Sequence, residues 1–187
     1  MRRLGAVVAL GVLLGLFAGV VTASTALAGR GPKWEFQPAA PFTLPADFCG
    51  FKVRVTFPVN REYGKVLKSS DGSVVTLVTG SLRVSLTNLN TGKTFTENIS
   101  GPGKLTTYPD GSFTVAGKGH EAPILAPADA RRFGLPPLSV TAGALTISLA
   151  PDETITSVSL HGHVLVDVCA ALSYETRLPV PVSAQAP

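Results

Sequence analysis

Apolar and polar residues alternate through most of the chain between residues 47 and 172. The stretches FKVRVTF at 51–57, SLRVSLTN at 81–88 and ALTISLA at 144–150 each place their apolar residues at every second position. Successive side chains of an extended strand point to opposite faces of a sheet. The alternation therefore predicts antiparallel strands with one buried face and one solvated face.

Turn-forming residues separate these stretches. They are DG at 71–72, NTG at 90–92, PDG at 109–111 and APDET at 150–154. Glycine after Asp or in a three-residue loop supplies the positive φ that a β-hairpin needs. The spacing of these turns predicts about nine or ten short strands, as in a barrel or a sandwich.

One segment departs from the alternation. APADARRFGLPP at 126–137 carries Pro127 near a helix start and Gly134 at a C-cap position, so we expect one or two helical turns there. Strands and helices do not alternate elsewhere, which excludes the α/β nucleotide-binding folds.

The N-terminal 28 residues have the organisation of a secretory signal peptide. Arg2 and Arg3 precede an uncharged apolar run, Leu4–Val21, and Ala26–Ala28 is a small-x-small cleavage motif. The alternative is a transmembrane anchor, because the run approaches the length of a membrane span. The absence of a basic stop-transfer flank favours cleavage after Ala28. We therefore predict a protein that is secreted or associated with the cell envelope, with no membrane span after cleavage.

The rest of the chain divides into three parts. Residues 29–46 carry four prolines and no periodic pattern, which predicts an extended linker. Residues 47–172 form the predicted β domain. Residues 173–187 end in RLPVPVSAQAP, which predicts a flexible tail.

The two cysteines suggest the architecture of the domain. In an exported chain an even pair is most simply a disulfide, here Cys49–Cys169. Cys49 stands at the start of the first strong strand and Cys169 at the end of the last one. Bridged cysteines have neighbouring Cα atoms, so these terminal strands are expected to be antiparallel neighbours. We therefore predict a closed or nearly closed antiparallel β-barrel of about 8–10 strands, with a β-sandwich as the alternative.

Charge excludes one class of partner. Without Arg2 and Arg3 the 16 basic residues become 14 against 12 acidic ones, which lowers the net charge from +4 to about +2. The longest basic run is Arg131–Arg132. With no basic stripe and with export predicted, nucleic acid is not expected as a partner.

The stretch LHGHVLVDVC at 160–169 is the best candidate for a metal site. His161 and His163 lie on the same side of an extended strand, with Asp167 on that side too. A catalytic zinc site needs a third protein ligand, for which only His120, Asp152 and Glu153 offer themselves, without a diagnostic spacing. The alternative, which we favour, is a polar strand face with two exposed imidazoles.

Other catalytic motifs are incomplete. HEAPI at 120–124 begins like a zinc-protease helix, but the second histidine is absent and Pro123 forbids the helix. No G-x-S-x-G elbow occurs, and no paired carboxylates are recognisable from their spacing. We therefore predict no catalytic residues, no cofactor and no enzymatic activity.

Four stretches carry a resemblance. FCGFKVRVTF, GSLRVSLTNLNTGKTFTENISGPG, DGSFTVAGKG and GHVLVDVCAAL together resemble small secreted β-domain proteins of actinobacteria, whose function is uncharacterised. In that group a Cys-Gly-Phe strand opens the domain, a TN-x-x-TGK hairpin follows and Asp-Val-Cys closes it. The resemblance covers residues 49–172 and implies export and a terminal disulfide, but no activity.

These observations favour a non-enzymatic exported domain that binds a small ligand or an envelope component, or has a structural role. An eight-stranded barrel can hold one small ligand in its interior. The alternative function is a secreted metal-dependent enzyme that uses His161 and His163.

Overall fold

The computed structural model describes residues 31–173. The predicted signal peptide, residues 1–28, lies outside the described residues. So does nearly all of the predicted tail, residues 173–187.

The described chain forms nine strands and two short helices. In chain order they are β1 (Glu35–Phe36), β2 (Phe42–Leu44), β3 (Val53–Lys68), β4 (Val74–Asn88), β5 (Thr94–Asn98), β6 (Gly103–Thr107), β7 (Phe113–Glu121), α1 (Pro127–Phe133), β8 (Ser139–Leu149), β9 (Ile155–Asp167) and α2 (Val168–Ser173). All strand pairs are antiparallel, which confirms the predicted all-β antiparallel class.

All nine strands belong to one sheet, with the order β1-β3-β4-β6-β7-β8-β9. The long strand β4 has two different neighbours on its second side. Its first half pairs with β6 and its second half pairs with β5. The outer side of β3 is divided in the same way, since β2 pairs with its first half and β1 with its second half.

The alternation of apolar residues correctly predicted which side of β3, β4 and β8 faces the core. The apolar residues of one parity in β3, β4 and β8 are almost fully buried: Val53, Val55, Leu82, Val84, Leu86, Leu145, Ile147 and Leu149. Burial of such side chains is the main favourable contribution to folding, at roughly 25 cal/mol per Å² of apolar surface. The alternation therefore identified the core face of the sheet.

The long strands are bent where glycines pair with one another. Gly119 of β7, Gly143 of β8 and Gly162 of β9 lie side by side in one row across the sheet. A Cβ on Gly143 would collide with the carbonyl oxygen of His161, and a Cβ on Gly162 with that of Ala142. Such close backbone approach is open only to glycine, so the row is where the sheet can bend sharply.

The bent sheet folds back on itself and encloses two apolar clusters. The larger cluster lies between the β2–β5 end of the sheet and the β8–α2 end, and its buried members include Leu44, Phe48, Val55, Leu86, Val140 and Leu172. The smaller cluster lies between α1 and the β8–β9 hairpin, around Leu125, Ala130 and Ile147. Each half of the sheet thus packs its apolar side into a separate cluster.

The predicted disulfide is present. Cys49 and Cys169 are bonded with their Cα atoms 5.1 Å apart. Cys169 belongs to α2 rather than to a strand, because β9 ends at Asp167. Because Cys169 lies beyond the end of β9, its side chain does not follow the alternation of that strand.

The closed barrel is not confirmed. Strand β3 does not pair with β9, so the predicted neighbourhood of the terminal strands is wrong. The physical reason is that β1 and β2 already occupy the outer edge of β3. The disulfide joins the two ends of an open, folded-back sheet through the turn before β3 and through α2.

The segment 29–46 contributes to the sheet. Strands β1 and β2 lie within this predicted linker, and prolines 38 and 41 fall outside both strands. Proline is compatible with edge positions because an edge strand leaves one row of N–H groups without a ladder partner. Two short edge strands therefore interrupt a segment whose composition is that of a linker.

The helix and turns predicted from sequence are present. Helix α1 has proline in its first turn and ends at Gly134 in the left-handed conformation. The carboxylates of Asp71, Asp110 and Asp152 accept hydrogen bonds from the backbone N–H two residues further on. These bonds hold the pKa of each aspartate below its usual range.

Replacing both cysteines by alanine, Cys49→Ala with Cys169→Ala, is expected to lower the free energy of unfolding by about 3–5 kcal/mol. The bridge spans 120 residues, and a long loop loses much entropy in the denatured chain when it is closed. Urea unfolding followed by circular dichroism measures the difference. An unchanged free energy of unfolding would show that the disulfide does not stabilise the fold.

Replacing Gly162 by alanine is expected to cost about 3 kcal/mol or more, because its Cβ would overlap the Ala142 carbonyl. Gly31→Ala is the matched control, since no heavy atom lies within 4 Å of a Cβ built there. Urea unfolding of both variants tests the bend. Equal free energies of unfolding for the two variants would contradict the close approach of Gly162 to the Ala142 carbonyl.

Candidate functional site

Two glutamates from strands that are not neighbours in the sheet share a small cavity. Glu62 belongs to β3 and Glu121 to the end of β7, with β4 and β6 between them in the strand order. Glu62 is only 6% exposed, although glutamate is rarely buried without a partner. This pair is the most unusual polar feature of the described residues.

The bends bring the two carboxyl groups together. Glu62 pairs with Gly80, which has a φ of 143° and lies against the Arg61 carbonyl. Glu121 follows the bend at Gly119 by two residues, and its side chain turns back over Gly117. A Cβ at position 117 would collide with the Glu121 carboxylate, so glycine provides the space that this side chain fills.

The cavity is small and partly open. Its volume is about 30 Å³, which is room for about one water molecule. Besides the two carboxyl groups, its walls are glycines (Gly101, Gly103, Gly117) and mainly apolar side chains (Val78, Ile99, Val115). No basic side chain lines it. The cavity therefore brings two acidic groups into surroundings that stabilise neither charge.

Burial raises the pKa of both glutamates to about 7. Desolvation is the cause for Glu62. For Glu121 desolvation comes first, and the negative charge of Glu62 adds to it. Within residues 31–173 neither carboxylate accepts a hydrogen bond, so no donor counteracts the effect of burial.

Such a pair has three chemical uses. Two carboxyl groups with raised pKa values can hold one proton between them. They can exchange protons with a substrate near neutral pH. They can also bind a cation that supplies the missing positive charge. The cavity is too small for a drug-sized organic ligand, which needs roughly ten times this volume or more.

The histidines singled out from sequence are elsewhere. His161 and His163 lie on the exposed side of the edge strand β9, opposite Ala144 and Ala142 of β8. His120 is instead close to Glu97, with 3.2 Å between its Nδ1 and a carboxylate oxygen. Asp152 lies in the β8–β9 turn and accepts a bond from Thr154. Within the described range, no three His, Cys, Asp or Glu side chains gather into a metal-binding group.

A second candidate site lies on the outer surface at the β1 edge. Trp34, Phe36 and Tyr63 are each about half exposed, at 48%, 52% and 46%. The Phe36 and Tyr63 rings meet edge to face, with 6.1 Å between their centroids. Large exposed aromatic groups in one place commonly mark an interaction surface.

Basic residues surround these rings. Arg61 and Lys65 flank Tyr63 at alternate positions of β3 and share its face, and Lys104 lies two strands away in the same row as Lys65. Among the described residues none of these three has an ion-pair partner. We call this surface the aromatic–basic face, and its members are Trp34, Phe36, Arg61, Tyr63, Lys65 and Lys104.

Comparison with known proteins adds no relative. The chain matches no protein-family model, no curated protein and no solved structure. Neither helix in the described part of the chain is long and apolar enough to cross a membrane.

The sequence held weak signals for both candidate sites. Glu62 has the parity of the polar positions in FKVRVTF, and it reaches the buried side only because the register shifts between Thr56 and Val59. Glu121 belongs to the HEAPI stretch, in which the zinc motif is incomplete. Their meeting depends on the strand order, which the spacing of 59 residues does not reveal. Trp34 and Phe36 were visible as aromatic residues in the predicted linker, and their exposure follows from the β1–β3 pairing.

Stability is expected to fall as the pH rises from about 4.5 to about 7. The two carboxyl groups have a higher pKa in the folded protein than their ordinary 4.5, so the folded state binds more protons than the unfolded state across this range. Thermal unfolding in EDTA buffer should therefore give a higher Tm at pH 5 than at pH 8.

The variant Glu62→Gln should reduce this difference in Tm, because its amide cannot ionise. Glu153→Gln, in the exposed β8–β9 turn, is the control and should leave the difference unchanged. The same pH dependence in all three proteins would contradict the burial of an ionisable pair.

Proposed function

We propose that the protein is an exported, non-enzymatic β domain that binds the anionic surface of a membrane through the aromatic–basic face. The single observation that supports this is the combination of three half-exposed rings with basic residues that have no acidic partner in the described chain. The signal-like sequence at 1–28 supports export. The disulfide is compatible with an extracellular location.

The chemistry of the face matches that of a membrane interface. Trp and Tyr are enriched where a protein meets the headgroup layer, because their rings are apolar and their polar atoms remain hydrated. Each Lys or Arg near an anionic surface contributes about 1 kcal/mol of attraction. A strand pair can present both kinds of side chain to a lipid surface at once.

The position of the face along the chain supports the same partner. Trp34 lies six residues after Ala28, where cleavage is predicted. Before cleavage, the apolar run Leu4–Val21 would hold this edge of the domain close to the membrane. The aromatic–basic face therefore begins close in sequence to the segment that would enter the membrane during export.

A ligand in the interior, the other form of a binding function, has less support. The cavity at Glu62 and Glu121 has a volume of about 30 Å³ and cannot hold a drug-sized molecule. A metal-dependent enzyme built on His161 and His163 also has less support, because no third ligand is near them among the described residues.

Vesicle binding tests the proposal. The chain from residue 29 onwards is mixed with vesicles of phosphatidylcholine alone or with about one-third phosphatidylglycerol, and bound protein is measured by sedimentation. We expect binding to the anionic vesicles that weakens at high salt. The double variant Arg61→Gln with Lys65→Gln should lower the partition coefficient about tenfold or more. Trp34→Ala should lower it severalfold.

Matched controls lie at the other end of β3. Lys52→Gln removes an exposed positive charge, and Leu89→Ala removes an apolar side chain that is 49% exposed. Both should bind like the unchanged protein. Equal binding to neutral and anionic vesicles, or full binding by the double variant, would contradict the proposal. Binding to insoluble wall polysaccharide instead of vesicles would replace the membrane as the partner.

A further inference from the structure

We propose that the protein forms a dimer in which the outer edge of β9 pairs antiparallel with the same edge of a second copy. In the described chain β9 is the last strand of the sheet order and pairs with β8 alone. Its 13 residues make it a long edge strand. The inference does not rest on the membrane-binding proposal, because no residue of the aromatic–basic face belongs to β9.

The other edge strands of the described sheet are short. Strand β1 has two residues, β2 has three and β5 has five. Glu35 and Glu97 put a charge on β1 and β5, and Pro41 and Pro45 flank β2. Short length, charge and proline are the usual means by which an edge strand avoids pairing with another chain. These three edges are therefore protected against such pairing.

Strand β9 lacks these means of protection over nearly its whole length. Residues 155–166 contain no lysine, arginine, aspartate, glutamate or proline, and Asp167 comes only at the end of the strand. In a symmetric strand pair each side chain meets its own copy or a close neighbour, so equal charges on the strand would repel each other. The lack of such charges favours a second copy of β9 as the partner.

The free stretch of β9 is bounded at both ends. Arg132 of α1 donates a hydrogen bond to the carbonyl oxygen of Ile155, at 3.0 Å, and so covers the first residue of the edge. Register shifts leave Thr156 and Leu165 without a pairing position in β8. Such irregularities interrupt a ladder, so the regular stretch is Ser157–Val164. Among the described residues only β8 hydrogen-bonds to the backbone of this stretch.

Alternation sorts the side chains of the regular stretch by face. Val158, Leu160 and Val164 are half-buried, and the first two pack against the smaller apolar cluster. The other face is exposed and carries hydroxyl and imidazole groups: Ser157, Ser159, His161 and His163. Antiparallel pairing about a twofold axis perpendicular to the sheet keeps equal faces together. Apolar side chains of one copy therefore meet apolar side chains of the other, and polar ones meet polar ones.

We expect the twofold axis at Leu160. In this register Leu160 meets its own copy, and Ser159 meets His161 of the second copy, so that a hydroxyl group faces an imidazole. Ser157 meets His163 of the second copy in the same way. An axis at His161 would instead set two imidazoles against each other, which is unfavourable when both are protonated. The ladder runs from Ser157 to His163 and reaches neither irregular position.

The interface is small, which sets the strength of the dimer. Stable protein–protein interfaces use about 20–30 residues on each side, and one pair of edge strands offers fewer. Main-chain hydrogen bonds supply the affinity when an extended strand joins a sheet edge. We therefore expect a weak dimer with a Kd on the order of 10–100 μM.

Sedimentation equilibrium of the chain from residue 29 onwards, at about 5–500 μM, measures this association. We expect monomer at the lowest concentration and mostly dimer at the highest. Ser159→Lys places a positive charge on the paired edge of each copy and should raise the Kd at least about tenfold. Ser81→Lys is the matched control, because it adds the same charge at an exposed position of β4, inside the sheet order. It should associate like the unchanged protein, and circular dichroism checks that both variants fold.

Cysteine cross-linking tests the position of the axis. Leu160→Cys should form a disulfide-linked dimer on mild oxidation, because its two copies are neighbours across the ladder. His163→Cys should not, since its two copies lie about six residues apart along the strands, which is roughly 20 Å.

Three outcomes would overturn the inference. A protein that stays monomeric at every concentration would exclude a second copy as the occupant of the edge. Equal association by Ser159→Lys and Ser81→Lys would place the contact between copies elsewhere on the molecule. Cross-linking by His163→Cys but not by Leu160→Cys would contradict the pairing about Leu160.

Discussion

Close backbone approach at a few glycines is the constraint on which the rest of this structure depends. Gly143 and Gly162 face each other across β8 and β9 at a distance that no Cβ would permit, and Gly80 lies against β3 in a similar way. Long strands that bend in this way can contribute side chains to two apolar clusters at once. Without the bends, one flat sheet of this size would leave one of its apolar regions without cover.

The bends also bring together the two glutamates whose pKa values are raised. Glu62 is paired with a bend glycine, and Glu121 stands two residues beyond another. Folding back the sheet brings the two side chains into one cavity and partly removes them from water. The raised pKa values and the lack of hydrogen-bond partners are consequences of this geometry. The aromatic–basic face lies on the opposite side of β3, where alternation places Tyr63 and its basic neighbours.

Local features of this fold were predictable from sequence, because they depend on neighbours along the chain. Alternation identified the buried residues of β3, β4 and β8, and the proline and glycine of α1 marked its ends. The disulfide followed from the cysteine count.

The strand order was not predictable in this way. The predicted barrel is not confirmed, because two short strands, in a segment with the composition of a linker, occupy the edge that β9 would need, and the open sheet fits the alternative sandwich as well. The carboxyl pair was missed for the same reason, since it joins β3 to β7 across two other strands.

The titration of the two glutamate side chains tests most directly whether the bends of the sheet place them in one desolvated cavity. Carboxyl ¹³C NMR of the protein in EDTA, with assignments from Glu62→Gln and Glu121→Gln, reports each group separately. We expect both to titrate near pH 7, and Glu121 to titrate at lower pH when Glu62 is replaced, because the neighbouring charge is gone. Titration of both groups near the ordinary value of 4.5 would contradict a shared, desolvated cavity at the bends of the sheet.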